Sequence, residues 1–405
     1  MDLHPALQRP LRIACVTETY PPEVNGVAMT IARLVEGLRN KRHEVQLVRP
    51  RQASDTGSGI EAERFHEVLV RGVPIPRYAG LRMGLPCKRA LMRRWRHTRP
   101  DVVHIATEGP LGRSALQAAM ALGLPVCSDF RTNFHAYSRH YGLGWLRSPI
   151  IGYLRRFHNA TGCTMVPTEA LRAVLEADGF RNVAVVSRGV DIHRFTPERR
   201  SEALRAAWGA GPDDLVVGHV GRLAPEKNLD ALIAAFEAIR HADARAKLVF
   251  VGDGPMRDAL RARCPQAIFA GQRSGDDLAA HYASADLFLF PSVTETFGNV
   301  TTEAMASGLA VVAFDYAAAA RFIRTDANGA LVPFDDTPAF VEASVRIASD
   351  LARVRVLGAA ARETSLALDW DGVVARFESV LATVMRGAAP QPGYAATSAT
   401  RHSSA

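Results

Sequence analysis

The chain has 405 residues, of which 48% are apolar and 7% aromatic. This length exceeds what one hydrophobic core normally covers and predicts two domains. No apolar run approaches the roughly 20 residues that span a bilayer, and the first residues lack the pattern of a secretory signal. The five cysteines are widely spread, without metal-ligand spacing or a disulfide framework, so we expect a reduced, cytoplasmic protein without a metal.

The charge differs between the two halves of the chain. Residues 1–195 contain 28 Lys and Arg against 16 Asp and Glu, a net charge of +12, and subtraction from the totals of 49 and 41 leaves 21 against 25, or −4, for residues 196–405. This imbalance predicts an anionic partner for the first half, either a lipid surface or a phosphorylated substrate. No nucleic-acid motif or aromatic-rich basic platform occurs, so nucleic acid is not expected as a partner.

The chain opens with the pattern of a doubly wound α/β sheet. A strand is predicted over 11–17, a loop over 19–26, a helix over 27–38 and a strand over 44–48. Gly26, at the start of that helix, would let a ligand approach the backbone. The alternative is a glycine that serves only the turn.

Two later segments of the first half carry unusual charge. Residues 88–99 contain six Lys and Arg around Leu91, Met92 and Trp95, which is typical either of a basic amphipathic helix on an anionic bilayer or of an ordinary solvated helix. Arg131 and His135 follow a predicted strand over 125–129, where polar groups could bind an anion or move a proton.

The second half repeats the strand, loop and helix pattern. Arg222 and Lys227 follow a predicted strand over 215–220, where two cations could neutralise a diphosphate without a metal. Glu295 follows an apolar run over 285–290 and precedes a turn at Gly298. Glu303 lies on the helix after that turn, for which Asn299 is the predicted N-cap.

These charged residues also have a simpler interpretation: a solvated cationic loop, a helix-capping glutamate and a second glutamate on a solvated face. Cations for a diphosphate and carboxylates for sugar hydroxyls in one sheet instead favour a nucleotide-sugar site.

Four motifs make the chain similar to a known family. They are TETYPPEVNGVA at 17–28, GRLAPEKN at 221–228, VGDGP at 251–255 and PSVTETFGNVTTEAMASG at 291–308. With these motifs the chain resembles the retaining GT-B glycosyltransferases of family 4, which include bacterial lipid mannosyltransferases and sulfolipid synthases. The resemblance implies two Rossmann-like domains facing across a cleft, a UDP- or GDP-sugar donor, a lipid or glycan acceptor and no cofactor.

The resemblance also implies a role for each matching residue. Arg222 and Lys227 would bind the donor diphosphate and stabilise it as a leaving group. Glu295 would hold sugar hydroxyls and Glu303 the ribose, while amides around Gly298, Asn299 and Val300 would contact phosphate and sugar. Gly26 would let the first domain close over the donor.

One position departs from the family pattern. Relatives usually have histidine where this chain has Arg131, and arginine cannot act as a base at neutral pH. Arg131 could instead hold a phosphate or an acidic sugar, or His135 could take over from four positions along the chain.

The expected organisation follows the same resemblance. Residues 1–190 would form the acceptor-side domain, 191–366 the nucleotide-sugar domain and 367–387 a helix that crosses back to the first domain. Residues 388–405 contain too few apolar residues to fold, which predicts a disordered tail.

Three other functions remain open from the sequence. The first is a nucleotide-sugar epimerase of the same fold, and the second is a non-catalytic nucleotide-sugar-binding protein, which Arg131 would favour. The third is a dinucleotide oxidoreductase, but the glycine cluster at 252–255 lacks the third glycine and the later acidic residue of such enzymes.

Overall fold

The computed structural model describes residues 9–23, 25–53, 55, 57, 59–74, 82–131 and 147–387. These residues form two compact units. The first contains the described residues up to Arg131, residues 151–187 and residues 376–387, and the second contains residues 147–150 and 188–375. His135 and the tail over 388–405 lie outside the described residues.

The first unit contains an eight-stranded sheet in the order β10-β9-β8-β7-β1-β2-β4-β3, beside a small antiparallel pair, β5 and β6. All neighbours in the large sheet are parallel except β3 and β4. The strands are β1 (Arg12–Val16), β2 (Glu44–Pro50), β3 (Glu61–Ala62), β4 (Phe65–Val70), β5 (Gly72–Pro74), β6 (Arg82–Gly84), β7 (Val102–Ile105), β8 (Val126–Asp129), β9 (Cys163–Val166) and β10 (Val183–Val185).

The second unit contains a six-stranded sheet in the order β13-β12-β11-β14-β15-β16, parallel throughout. Its strands are β11 (Val216–Val220), β12 (Lys247–Val251), β13 (Ile268–Gly271), β14 (Leu287–Phe290), β15 (Ala310–Phe314) and β16 (Gly329–Val332). Every residue of β11, β14 and β15 is buried, as expected for parallel strands that are covered on both faces. The strand order reverses between β11 and β14, and this reversal is the switch point at which such sheets bind ligands.

Helices connect the strands in both units. Their hydrophobic residues recur at helical spacing, and caps such as Asn25, Thr168 and Asp350 accept hydrogen bonds from the first turn. The described helices are α1 (Gly26–Asn40), α2 (Lys88–His97), α3 (Pro110–Ala121), α4 (Arg147–His158), α5 (Glu169–Ala177), α6 (Glu202–Ala207), α7 (Leu229–Ala242), α8 (Arg257–Arg263), α9 (Gly275–Ala283), α10 (Asn299–Ala306), α11 (Ala317–Phe322), α12 (Thr337–Ala348), α13 (Leu351–Leu366) and α14 (Trp370–Met385).

The last helix, α14, lies within residues 367–387, where a crossing helix was predicted. It begins at Trp370 in the second unit, and from Arg376 onward it belongs to the first. There, Phe377 packs edge-on against His104, and Glu378 accepts hydrogen bonds from Lys41 and His43 at 2.6 and 2.7 Å. Among the described residues, no helix is long and apolar enough to cross a membrane.

Five strands were not predicted from the sequence, namely β3, β4, β5, β6 and β16. In β4 (Phe65–Val70) only the first and third residues, Phe65 and Glu67, are buried, and the polar His66 and Glu67 interrupt its apolar residues, so its apolar pattern is weak. β16 at Gly329–Val332 is short and follows a turn. The predicted strands and the basic helix of the first half are present, and Cys15, Cys127 and Cys163 are buried.

Candidate active site

The loops after β11 and β14 meet at the switch point of the second unit. These two strands are neighbours although they lie about 70 residues apart in the chain, with Val217 opposite Leu287 and Gly218 opposite Phe288. The first loop carries Arg222 and Lys227, and the second carries Glu295. The predicted cations and the predicted carboxylate therefore share the carboxyl edge of the sheet.

Lys227 and Glu295 form a direct ion pair. The Lys227 Nζ donates to Glu295 Oε1, and the Ser292 hydroxyl donates to the same oxygen at 2.8 Å. Each of the two charged side chains is only 16% exposed. Tyr316 fixes the loop from the other side because its hydroxyl donates to the Glu295 carbonyl at 2.7 Å. The ammonium group and the carboxylate therefore lie side by side, an arrangement that suits a ligand with both an anionic group and hydroxyl groups.

Arg222 is more exposed than Lys227. Its side chain is 42% exposed, and its Nη1 lies 3.7 Å from Oε1 of the buried Glu226. The Leu223 amide, next to Arg222, donates to the Asp253 carbonyl at 3.0 Å, which ties this loop to the loop after β12.

Close backbone contact explains the glycine at 252. A Cβ there would lie 1.9 Å from the Gly221 carbonyl oxygen, and the residue has φ +139°. Gly252 thus allows the backbone after β12 to pack directly against the backbone at the start of the cationic loop.

The turn before α10 differs in one respect from the sequence prediction. Gly298, with φ +88°, occupies the N-cap position, and Asn299 is the first residue of the helix. The prediction that Asn299 caps the helix is therefore wrong, because its side-chain oxygen accepts a hydrogen bond from Arg188 instead, at 3.2 Å. The amides of Asn299 and Val300 belong to the first turn, where backbone donors have no acceptor within the helix and favour an anion.

Glu303 lies one turn further along α10 and is held by a different partner. The hydroxyl of the buried Tyr282 donates to Glu303 Oε2 at 2.9 Å. Burial raises the pKa of Glu303 from its usual 4.5 to about 7, although the Tyr282 hydrogen bond opposes that rise. Near neutral pH this carboxyl group is thus divided between its protonated and ionised forms.

In the first unit, Gly26 lies at the start of α1 and is exposed. The preceding residue, Asn25, caps the helix by accepting hydrogen bonds from the amides of Val27 at 3.1 Å and Ala28 at 2.9 Å. The Asn25 side chain also donates to the Thr19 hydroxyl at 2.7 Å. This network orients the loop around Gly26 from within the first unit.

Arg131 is buried at the end of β8 in a charged cluster. Its Nε donates to Asp129 Oδ2 at 2.6 Å, and His104 Nε2 lies 2.8 Å from the same oxygen. Burial alone raises the pKa of Asp129, but Arg131 and His104 together hold it below its usual value. Burial likewise lowers the pKa of His104, but the neighbouring Asp129 and Cys15 more than offset this and raise it. Arg131 therefore has a fixed position and a permanent charge.

Three residues in these clusters were not identified as site residues from the sequence. Arg188 lies close to the predicted domain boundary at residue 190, Tyr282 has no predicted role, and Asp129 is the last residue of a predicted strand. The residues that Arg188 contacts through hydrogen bonds lie 108 and 111 positions away. Tyr282 and Glu303 are 21 positions apart, and Asp129 and His104 are 25 apart, whereas the contact of Asp129 with Arg131 is local. The sequence signal that could have identified these residues was a charged or hydroxyl side chain at the end of a predicted strand or helix. Within the described part of the chain, no group of three or more His, Cys, Asp or Glu could hold a metal ion.

Comparisons with known proteins agree with the fold and with the position of the motifs. Residues 24–194 match the model of Glycosyltransferase Family 4, and residues 214–350 match that of Glycosyl transferases group 1. The chain is 38% identical to a GDP-mannose-dependent alpha-mannosyltransferase of Mycobacterium tuberculosis, over 80% of this chain and 84% of the relative. It is 36% identical to the protein of the same name from Mycolicibacterium smegmatis, over 92% and 98% of the two chains.

A solved structure shows the same architecture. The sucrose-phosphate synthase of Thermosynechococcus elongatus aligns with a TM-score of 0.75 and 19% identity, covering 93% of this chain and all of the other. The fold predicted from the sequence is confirmed, and the epimerase alternative is not favoured by these relatives. The chain belongs to glycosyltransferase family 4 and is a retaining hexosyltransferase with the GT-B fold, which uses a nucleoside-diphosphate sugar as donor.

Proposed function

We propose that the donor is GDP-mannose and that the enzyme forms an α-mannosyl linkage on a lipid acceptor. The observation that carries this proposal is the ion pair of Lys227 and Glu295 at the switch point, in a chain whose similar relatives are named GDP-mannose-dependent alpha-mannosyltransferases. The pair offers an ammonium group for phosphate and a carboxylate for hydroxyl groups, which are the two chemical features of a nucleotide sugar.

The predicted site residues take the following roles in this proposal. Lys227 and Arg222 bind the diphosphate and stabilise the negative charge that develops on it as the sugar departs. Glu295 accepts hydrogen bonds from sugar hydroxyls, and Glu303 accepts them from the ribose. The amides of Gly298 to Val300, at the start of α10, complete the contacts to phosphate and sugar. Residues 191–366 are then the donor-binding domain and residues 1–190 the acceptor-side domain, and Gly26 is the residue of the first domain that we assign to donor binding.

Arg131 cannot take a proton at neutral pH and therefore acts by charge. Because Asp129 fixes its Nε, the guanidinium group has a defined orientation. We assign Arg131 to an anionic group of the substrates, and His135 to the proton-accepting role that an arginine cannot perform.

A donor screen tests this proposal directly. The purified enzyme is offered GDP-mannose, GDP-glucose, UDP-glucose and UDP-galactose together with a diacylglycerol-based glycolipid extract, and the products are separated and examined by NMR. We expect transfer from GDP-mannose and an α-anomeric signal in the product. Preferential turnover of a UDP-sugar would refute the donor assignment, and a β-linked product would refute retention.

We further propose that the first unit docks on an anionic membrane surface. Helix α2 contains no acidic residue, and Lys88, Arg89, Arg93 and Arg96 are exposed on it, while Leu91 and Trp95 are buried and hold it to the unit. Three exposed apolar side chains precede this helix in the chain, and each is 38% exposed. They are Val73 on β5, Met83 on β6 and Leu85 directly after β6. Basic residues beside exposed apolar ones are suited to the surface of an anionic bilayer.

Vesicle binding checks this docking at low salt. Wild-type enzyme should pellet with phosphatidylglycerol-rich vesicles more than with phosphatidylcholine vesicles, and added salt should release it because the attraction is electrostatic. Reversing charge in the double variant Arg93→Glu, Arg96→Glu should abolish the difference. The matched control is Arg245→Glu with Arg355→Glu, which changes net charge equally on the exposed surface of the second unit. Equal pelleting of wild type with both lipids, or equal losses in both variants, would contradict the proposal.

A further inference from the structure

Four side chains near the carboxyl edge of the first unit's sheet form one continuous line of contacts. Cys15 on β1 lies opposite His104 on β7, and its Sγ is 3.5 Å from His104 Nδ1. On the other side of the ring, His104 Nε2 lies 2.8 Å from Asp129 Oδ2, and Arg131 Nε donates to that same oxygen at 2.6 Å. Phe377 of α14 packs edge-on against the His104 ring, with the ring centres 4.8 Å apart. All five residues are buried.

Asp129 is shared between two nitrogen donors. Its single negative charge balances Arg131 only if His104 is neutral. Burial lowers the pKa of His104, but the neighbouring Asp129 and Cys15 outweigh this effect and raise the pKa to about 9. The ring is therefore protonated at neutral pH, and the cluster has two positive charges against one negative charge. The titratable groups that face His104 are Cys15 from β1 and Asp129 from β8, whereas α14 contributes the uncharged Phe377.

The fold alone does not need this second positive charge. A neutral imidazole could already satisfy both neighbours, with Nε2–H donating to Asp129 and Nδ1 accepting from the Cys15 thiol. A buried excess of positive charge is unfavourable unless an anion balances it. Among the described residues, Arg131 makes its hydrogen bond through Nε and none through Nη1 or Nη2. The outer nitrogens of Arg131 are thus suited to an anionic oxygen group.

We propose that His104 is a positioning residue for Arg131, which holds Asp129 from the buried side and supplies the second positive charge that leaves Arg131 able to bind an anionic group of a substrate. This inference rests on the proposed function, which assigns Arg131 to such a group. With His104 neutral, Asp129 cancels the charge of Arg131. With His104 protonated, the cluster attracts an anion, although His104 acts through Asp129 and does not contact the anion itself.

The test follows anion binding at Arg131 itself. NMR of protein with isotopically labelled arginine detects the Nε and Cζ signals of Arg131, which are assigned by their absence in Arg131→Lys. Sulfate is the probe, because it stays doubly charged at neutral and alkaline pH. His104→Gln keeps an N–H donor for Asp129 but removes the charge. The matched control is His158→Gln, because His158 is also buried in the first unit and lies 3.2 Å from a carboxylate oxygen of Glu108.

In the wild type we expect saturable sulfate binding near neutral pH, and an affinity that falls as the pH rises through about 9, because His104 loses its proton. His104→Gln should bind sulfate roughly tenfold or more weakly near neutral pH and should lack that fall. His158→Gln should match the wild type at every pH. The ring nitrogen signals of labelled histidine should show His104 protonated at neutral pH.

Two further anions identify the source of the bound group. A response of the Arg131 signals to GDP assigns the group to the donor, and a response to glycerol 3-phosphate assigns it to the headgroup of the acceptor. Either response supports the inference if it weakens in His104→Gln and not in His158→Gln.

Four outcomes would overturn the inference. The first is a His104 ring that is neutral at neutral pH, which the histidine signals of the wild type show without any variant. The second is equal sulfate affinity in wild type and His104→Gln, and the third is an equal loss in His104→Gln and His158→Gln. The fourth is an Arg131 signal that responds to none of the three anions, which also ends the role of Arg131 in the proposed function. A preference for UDP-sugars in the donor screen refutes the donor assignment and leaves this comparison unchanged.

Discussion

Replacing Glu303 with glutamine removes a carboxyl group whose ionisation should destabilise the folded protein. In the native state burial raises the pKa of Glu303 from 4.5 to about 7, so the folded chain retains this proton over a pH range in which the unfolded chain has lost it. The stability that this proton provides is fully present below the unfolded pKa of 4.5 and is lost as the pH rises through about 7. Wild-type stability should therefore fall over this range through Glu303, and the glutamine variant should lack that contribution.

The magnitude follows from the two pKa values. The interval from 4.5 to about 7 corresponds to about 3 kcal/mol in full, at about 1.4 kcal/mol for each pH unit. Between about pH 5 and pH 8 most of it, roughly 2 kcal/mol, should be lost. The free energy of unfolding is measured by urea denaturation at several pH values in this range, for wild type and Glu303→Gln. The difference between the two proteins cancels the contribution of other titrating groups.

The result that refutes this reasoning is a pair of parallel curves. If the free energy of unfolding of wild type and Glu303→Gln differs by a constant from pH 5 to pH 8, then Glu303 titrates outside this range and burial does not govern its pKa. A difference that grows in the opposite direction, with wild type gaining stability as the pH rises, would show that a favourable partner of the ionised carboxylate had been overlooked. A shift of the midpoint alone would change the size of the effect and not its sign.

Three further predictions concern neighbouring groups. Tyr282→Phe removes the hydroxyl that donates to Glu303, so the midpoint of the Glu303 titration should move to higher pH. The same urea series measures this midpoint. An unchanged midpoint would mean that this hydrogen bond is not made in solution. Glu295→Ala, and Arg222→Ala combined with Lys227→Ala, should each reduce transfer at least about 100-fold while circular dichroism shows an intact fold, because they remove the proposed contacts to the donor. Full turnover would contradict the site assignment. Gly252→Ala should lower the free energy of unfolding by about 3 kcal/mol or more, because its Cβ would lie 1.9 Å from the Gly221 oxygen. The control Gly275→Ala, at a position with positive φ but open space, should lower it by about 1 kcal/mol. Similar losses in the two variants would show that strain in φ outweighs the clash.

The sequence predicted most strands, the helices at their ends and the residue types at the carboxyl edges of the sheets. Apolar runs such as 215–220 and 285–290 were sufficient because buried parallel strands are continuously apolar. β4 was missed because its polar His66 and Glu67 weaken that pattern, although it lies beside β2 near the edge of its sheet.

Contacts between distant residues could not be predicted in the same way. The sequence placed Lys227 and Glu295 in one sheet, but their direct contact depends on β11 and β14 being neighbours, which is a property of topology. Arg188 illustrates the same limit, since its two partners lie more than 100 positions away. The N-cap prediction for Asn299 was wrong for a related reason: local propensity favours asparagine as a cap, but a distant arginine binds its side chain.

The ion pair of Lys227 and Glu295 has a consequence for selectivity. The two groups are already paired with each other. A ligand that binds one of them therefore gains little binding energy unless it also provides a new partner for the other. Inorganic phosphate would compete for the ammonium group and leave the part-buried carboxylate without its cation. A free sugar would bind the carboxylate and leave the ammonium group without its anion. Under the proposed roles, a molecule that carries both phosphate and sugar compensates both at once. If the proposed roles are correct, the pair disfavours anions and free sugars that offer only one of the two partners.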